Sequence, residues 1–164
     1  MSNIVLGNVA PGFSLKSADG EEFSLGTALH HGPVVLSFFK VSCPVCKFTF
    51  PFLERLYKHY GGADVSFVGV SQDNTSASRD FAHEFGVTFP ILIDDAGYPV
   101  SNAYGLTSVP TFFLINPDGK VQVASVGFGK AEMEEIADAL ADRRNITRSP
   151  VFRKDEAVPA HKPG

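Results

Sequence analysis

Cys43 and Cys46 are the only cysteines in this 164-residue chain, and Pro44 and Val45 separate them. A C-x-x-C pair has three chemical uses. It can supply two of the four ligands that a structural zinc ion takes. It can open and close as a disulfide. It can also be two small apolar side chains packed in a core. Zinc would need two further ligands, and His30, His31, His59 and His83 are the nearby candidates. Only the adjacent His30 and His31 approach a ligand spacing, and neighbouring side chains in an extended loop diverge. His59 and His83 fall on the outer faces of expected helices.

The surrounding elements decide how such a pair is presented. VVLSFF, residues 34 to 39, is an almost continuous apolar run, as expected of a central strand covered on both faces. Phe48, Phe52, Leu53, Leu56, Tyr57 and Tyr60 then recur at helical spacing until Gly61-Gly62. Pro51 lies inside that pattern and predicts a kink. Cys43 therefore falls at a strand-to-helix junction, where the partial positive charge of the helix N-terminus favours a thiolate. Cys46 lies one turn on, on the same face. This placement fits Cys43 as an exposed attacker and Cys46 as a buried resolver of mixed disulfides.

Residues 13 to 25 read as a β-hairpin around Ala18-Asp19-Gly20, and His30-His31-Gly32-Pro33 is expected to break the chain. VSFVGV (65 to 70), FPILI (89 to 93) and TFFLI (111 to 115) read as further strands. Asp73, Asn74 or Thr75 can cap a helix carrying Ala77, Phe81 and Phe85 on one face before Gly86. YPVSNAYGL holds one or two helical turns at most. Asn116-Pro117-Asp118-Gly119 turns the chain into the alternating KVQVASV. A last helix spans about 130 to 141. The order predicts an α/β domain over residues 1–142, with a mixed sheet and helices on both faces. Residues 143–164 hold three prolines and no periodicity, and read as a loosely attached or disordered tail.

Composition is that of a soluble globular domain, 44% hydrophobic and 20% charged. Net charge is −4, so nothing favours nucleic acid, although residues 142 to 164 carry six basic side chains against three acidic ones. No run reaches the ~18 apolar residues of a membrane span. MSNIVLGNVAPGF lacks a charged region followed by a long apolar run, so no secretory signal is expected and the cytoplasm is the expected location. In a reducing compartment a close cysteine pair points to redox catalysis or metal binding rather than to a staple.

With this context the chain resembles the thioredoxin superfamily, in its thiol–disulfide oxidoreductase branch related to TlpA and ResA. That branch shares an AhpC/TSA-like architecture with peroxiredoxins. The resemblance runs from about Ala10 to Leu140. It is carried by APGFSL, VVLSFFKVSCPVCKFTFPFLERL, DFAHEFGVTFPILIDD and YGLTSVPTFFLINPDGKV. It implies a thioredoxin-like fold with an N-terminal β-hairpin and a βαβ insertion. It implies disulfide exchange by Cys43 and Cys46 with protein or small-molecule disulfides and thiols, plus a thiol protein as electron donor or acceptor. No cofactor and no metal are implied. The resemblance also makes Pro110 a cis-proline facing the cysteine pair, and makes the backbone of Val109 the partner of the substrate chain.

Three positions depart from the family pattern. Ser42 stands where Trp usually precedes the first cysteine. Ser37 stands where thioredoxins place a buried Asp, and Thr49 where the members closest to ResA place a Glu. Either carboxylate would serve as base for the resolving thiol. Without them, water, Lys40 or Lys47 must assist, and Lys40 and Lys47 also flank the pair as cations. A second expectation is peroxide reduction, but Lys40 and Leu36 occupy the positions where peroxiredoxins place Thr or Ser and Pro. A third is a binding module of low turnover. Oligomeric state has no signature in the sequence.

Overall fold

The computed structural model describes residues 6–164. The opening MSNIV, part of the stretch expected to lack a secretory signal, lies outside the described residues. The expected hairpin forms, with β1 (Ser14–Lys16) antiparallel to β2 (Glu22–Ser24) and Leu15 opposite Phe23. The chain then departs from expectation. His30 and His31 do not lie in a loop but close a helix, α1 (Leu25–His31). The hydroxyl of Ser24 accepts from the Thr27 N–H at 3.5 Å, and Leu25, Ala28 and Leu29 bury one stripe of the helix.

Alternation follows: β3 (Val34–Phe39), α2 (Pro44–Tyr60), β4 (Ser66–Ser71), α3 (Thr75–Phe85), β5 (Ile91–Ile93) and the short α4 (Pro99–Ala103). The expected hairpin of β6 (Thr111–Ile115) and β7 (Val121–Val126) comes next. After it lie β8 (Phe128–Gly129), α5 (Lys130–Arg144) and β9 (His161–Lys162). The main sheet runs β5-β4-β3-β6-β7. β3 is parallel to β4 and β4 to β5, whereas β6 is antiparallel to both β3 and β7. The sheet is therefore mixed, with helices on both faces.

β3 is buried at every residue, which explains its unbroken apolar run. Its alternate side chains enter two cores. Val35 and Phe39 pack with α2, α3 and α5, while Val34, Leu36 and Phe38 pack with α1, Val100 and Tyr104. α2 runs from Pro44 to Tyr60 with Pro51 inside it, where the sequence pattern placed it. Two buried carboxylates tie loops to this frame. Asp94 accepts from the N–H groups of Val100 and Ser101 at 3.1 and 2.9 Å and from the Ser101 hydroxyl at 2.9 Å, fixing the start of α4. Glu54 on α2 accepts from the Thr88 N–H at 2.8 Å and from the Thr88 hydroxyl, holding the entry to β5. Tyr104 donates its hydroxyl to the Pro11 carbonyl at 2.8 Å, and burial pushes its phenol up. Among the described residues no helix is long and apolar enough to cross a membrane.

Residues 143–164 are not the loose tail the sequence suggested. α5 itself continues to Arg144, and the chain then folds back over α2. Val151 joins the core, with Phe152 and Val158 packed against it, and Phe152 lies 5.0 Å from Phe52 between ring centroids. The Arg55 guanidinium donates to both carboxylate oxygens of Glu156, at 2.7 and 2.6 Å, and to the Val151 carbonyl at 3.1 Å. β9 then pairs antiparallel with β8. Sparse anchors far apart in sequence hold this segment, so no local period announces it.

The Arg55 hydrogen bonds, then the Arg153 N–H, lower the Glu156 carboxyl from 4.5 to about 2. A carboxyl lowered on folding adds stability that is present above its unfolded value and lost as pH falls through its folded value. The docking of the segment should therefore be at full strength above pH 4.5 and weaken as pH falls toward 2. The Lys130 N–H, which donates to the Ala160 carbonyl, reports this as loss of hydrogen-exchange protection across that window. In Glu156→Gln the acid-dependent part of that loss should vanish. A persisting transition would assign the release to another group.

Candidate active site

Cys43 is the N-cap of α2, and its sulfur accepts from the Cys46 N–H at 3.2 Å. Pro44 occupies the first turn, where its missing N–H costs nothing and its fixed φ suits the helix. The short loop from β3 closes with the Cys43 N–H donating to the Lys40 carbonyl at 3.2 Å. The two cysteines are free thiols; Cys43 is partly exposed and Cys46 fully buried. Burial is the largest cause pushing the Cys46 thiol up, followed by the Cys43 side chain. A thiol in that state holds its proton until something nearby removes it.

The Cys43 thiol donates to the Val109 carbonyl at 3.4 Å. The Val109–Pro110 peptide is cis, and the Pro110 carbonyl accepts from the Gly127 N–H at 2.7 Å. Residues 66 positions apart in sequence thus meet at one sulfur, and the loop before β6 is locked to the turn between β7 and β8. A polar cavity opens beside them, lined by Lys40, Gln72, Thr107, Ser108 and Val109. Phe48, two residues beyond Cys46, stacks edge-on against Phe128 at 5.0 Å.

Of the departing positions, Ser42 is exposed, while Ser37 and Thr49 are buried. Ser37 shares the α2 face of β3 by alternation with Val35 and Phe39. Thr49 donates its hydroxyl to the Val45 carbonyl at 2.7 Å, so that hydroxyl is committed within the helix. Lys40 and Lys47 both point to solvent. No group of three or more His, Cys, Asp or Glu side chains able to hold a metal ion occurs among the described residues.

Sequence reasoning missed Asp73. It read Asp73, Asn74 and Thr75 as equivalent caps, but Asn74 caps α3 by accepting from the Ala77 N–H at 2.8 Å. Asp73 is left to reach across and accept from the Val41 N–H at 2.8 Å, on the loop that leads to the cysteines. Its charge is one of the smaller causes raising the Cys46 thiol. It brings a carboxylate to the site from the loop after β4, whereas the two positions where one was expected lie on β3 and on α2. The signal was present in the sequence, since three capping residues stand where one suffices.

The AhpC/TSA family model matches residues 6–124. The thiol-disulfide oxidoreductase ResA of Bacillus subtilis is 36% identical over 116 residues, which cover 70% of this chain and 64% of that protein, just under two thirds of its length. ResA of Geobacillus thermodenitrificans is 36% identical over 76% of this chain and 71% of its own. Among solved structures, one from Chlorobium tepidum, described as a candidate thiol:disulfide interchange protein DsbE, superposes with a TM-score of 0.74. Its identity is 27%, over 85% of this chain and 98% of that one. The likeness extends to the thioredoxin-like sheet and its flanking helices.

Proposed function

Because the chain belongs to the AhpC/TSA family, we propose that it is a thiol–disulfide oxidoreductase working through Cys43 and Cys46. The observation that carries this is one sulfur, on Cys43, meeting both the first turn of α2 and the Val109 carbonyl. The Cys43 thiolate attacks one sulfur of a substrate disulfide, forming a mixed disulfide and releasing the other substrate sulfur as a thiolate. Cys46 gives up its proton and attacks the Cys43 sulfur. The second substrate thiolate leaves, and the Cys43–Cys46 disulfide remains. Two electrons pass to the substrate, and a thiol donor, here a thiol protein, restores the pair. The reverse sequence oxidises a dithiol partner.

The backbone of Val109, held by Pro110, aligns the substrate chain beside Cys43. Proton removal from buried Cys46 falls to water or to Asp73, since Ser37 and Thr49 do not ionise. Peroxide reduction is the weaker reading, because exposed Lys40 stands in place of the hydroxyl expected to hold peroxide. A binding module of low turnover would keep the geometry without the cycle. A cytoplasmic location belongs to the same proposal, and finding the protein outside the cytoplasm on cell fractionation would overturn it.

The test is titration of the purified protein in glutathione redox buffers, read by thiol labelling. One two-electron transition involving both cysteines, with catalysed reduction of a protein disulfide, is expected. A protein that cycles but consumes peroxide stoichiometrically would favour the peroxidase. One that does not cycle would leave the binding module.

A further inference from the structure

Resting on that reading, we infer that the substrate is an extended polypeptide which adds as a strand to β8, and that residues 160–164 occupy its place in the resting protein. β9 lies antiparallel on β8, with Lys162 opposite Phe128 and His161 opposite Gly129. The Lys130 N–H donates to the Ala160 carbonyl at 2.9 Å, and His161 Nε2 lies 3.0 Å from the Val126 carbonyl. The Lys162 ammonium sits 5.0 Å over the Phe48 ring. The segment then reaches the cysteines. A β-carbon added to Gly164 would overlap the Val109 carbonyl oxygen and lie 3.2 Å from the Pro110 nitrogen. That carbonyl is the one the Cys43 thiol donates to.

Gly127 confirms how closely the backbones approach. Its φ of +80° suits glycine, and a β-carbon there would collide with the Lys162 carbonyl. The path thus recognises main chain by strand addition, a cation by Phe48, and the absence of a side chain at Val109. Such strand addition is a general mode of peptide capture. A polypeptide approaching Cys43 along Val109 must displace residues 160–164, whereas a small disulfide need not follow the strand path. The segment His161-Lys162-Pro163-Gly164 is then a built-in competitor with the recognition features of the partner.

Two measurements test this. In the binding arm, Cys43→Ser and Cys46→Ser remove the redox chemistry, and a fluorescein-labelled peptide of residues 159–164 is titrated by anisotropy. A chain lacking residues 160–164 should bind it saturably. The full chain should bind about tenfold more weakly, the factor expected when a tethered competitor at an effective concentration of about 1 mM opposes a peptide with a Kd of about 0.1 mM. The same peptide carrying Gly164→Val should not bind. Equal binding to both chains, or none to the shortened one, overturns the inference.

In the kinetic arm, with cysteines intact, shortening should raise kcat/KM for a polypeptide disulfide about tenfold by the same competition, through KM. It should leave a small aromatic disulfide unchanged. If the shortened chain fails to fold, Gly164→Val in the full chain displaces the segment by the overlap with Val109, and the same gain is expected. Unchanged polypeptide kinetics in that variant overturns the inference. A protein that captures the peptide yet exchanges no disulfide would overturn the oxidoreductase reading and leave the groove standing.

Discussion

Cys46→Ser is expected to stop the reaction halfway, with the protein accumulating as a mixed disulfide through Cys43. The two sulfurs divide the work because their surroundings differ. Cys43 is partly exposed, caps α2 and touches the Val109 carbonyl, so an incoming disulfide can reach it. Cys46 is fully buried and its thiol is pushed up by that burial, so it meets no external disulfide but lies beside the Cys43 sulfur. Removing the resolver leaves the first exchange intact and abolishes the second. Incubation with a disulfide-bearing protein, followed by non-reducing electrophoresis, should give one substrate molecule per chain, released by dithiothreitol. Cys43→Ser should form no adduct, and its activity should fall to the rate of the uncatalysed exchange. An adduct forming equally through Cys46 in Cys43→Ser would reverse the assignment.

Phe50→Ala should have the largest effect on the fold. Phe50 is fully buried one turn beyond Cys46 on α2, and its ring lies 4.5 Å from Phe39 on β3, 5.6 Å from Phe81 on α3 and 6.1 Å from Phe89. One side chain thus joins the central strand, the helix that carries the cysteines and the helix of the βαβ insertion. Three rigid elements surround the vacated volume, so collapse around it is limited. The expected cost is about 3–5 kcal/mol. For a domain of this size that corresponds to roughly 6–20 °C in the melting midpoint, read by thermal unfolding in parallel with urea titration. A loss below about 1 kcal/mol would place the aromatic cluster outside the cooperative core. Phe50→Leu keeps most of the volume and should cost much less.

The strands were the most legible elements, because β3, β4 and β6 are buried on both faces and read as unbroken apolar runs. α2 was legible as a helix but only in part as a packing surface. The spacing of Phe48, Phe52 and Leu56 marks the side that meets Phe128 and Phe152, while Phe50 belongs to a second buried side facing Phe39 and Phe81. A helix buried on two sides blurs its own period. α1 was missed because His30-His31-Gly32-Pro33 looked like a breaker, when the breaker was only Gly32-Pro33 and the histidines were the last turn. Residues 143–164 were misread for a different reason. Their order comes from Val151, Phe152 and the Arg55–Glu156 pair, contacts that depend on a partner about a hundred residues away. The cysteine pair was expected from its spacing and context, and Val109 and Pro110 from the family resemblance; that Asp73 reaches the same loop was not expected, because which of three adjacent caps is used depends on the loop it faces.

The capping sulfur of Cys43 has a thermodynamic consequence. The same atom closes the first turn of α2 and gains or loses a covalent bond when the pair changes state. A disulfide sulfur is a poorer acceptor than the thiolate from which exchange starts, so oxidation from that form weakens the cap; oxygen caps contribute about 0.5–2 kcal/mol, and sulfur, a weaker acceptor, contributes less. Folding and reduction then form a closed cycle. Whatever stability the dithiol protein holds over the disulfide protein must reappear as a shift of potential toward the oxidising side. The exchange rate is set by the two electrons transferred, about 30 mV for each 1.4 kcal/mol. Changes that strengthen or loosen one helical turn therefore tune the reduction potential without touching either cysteine.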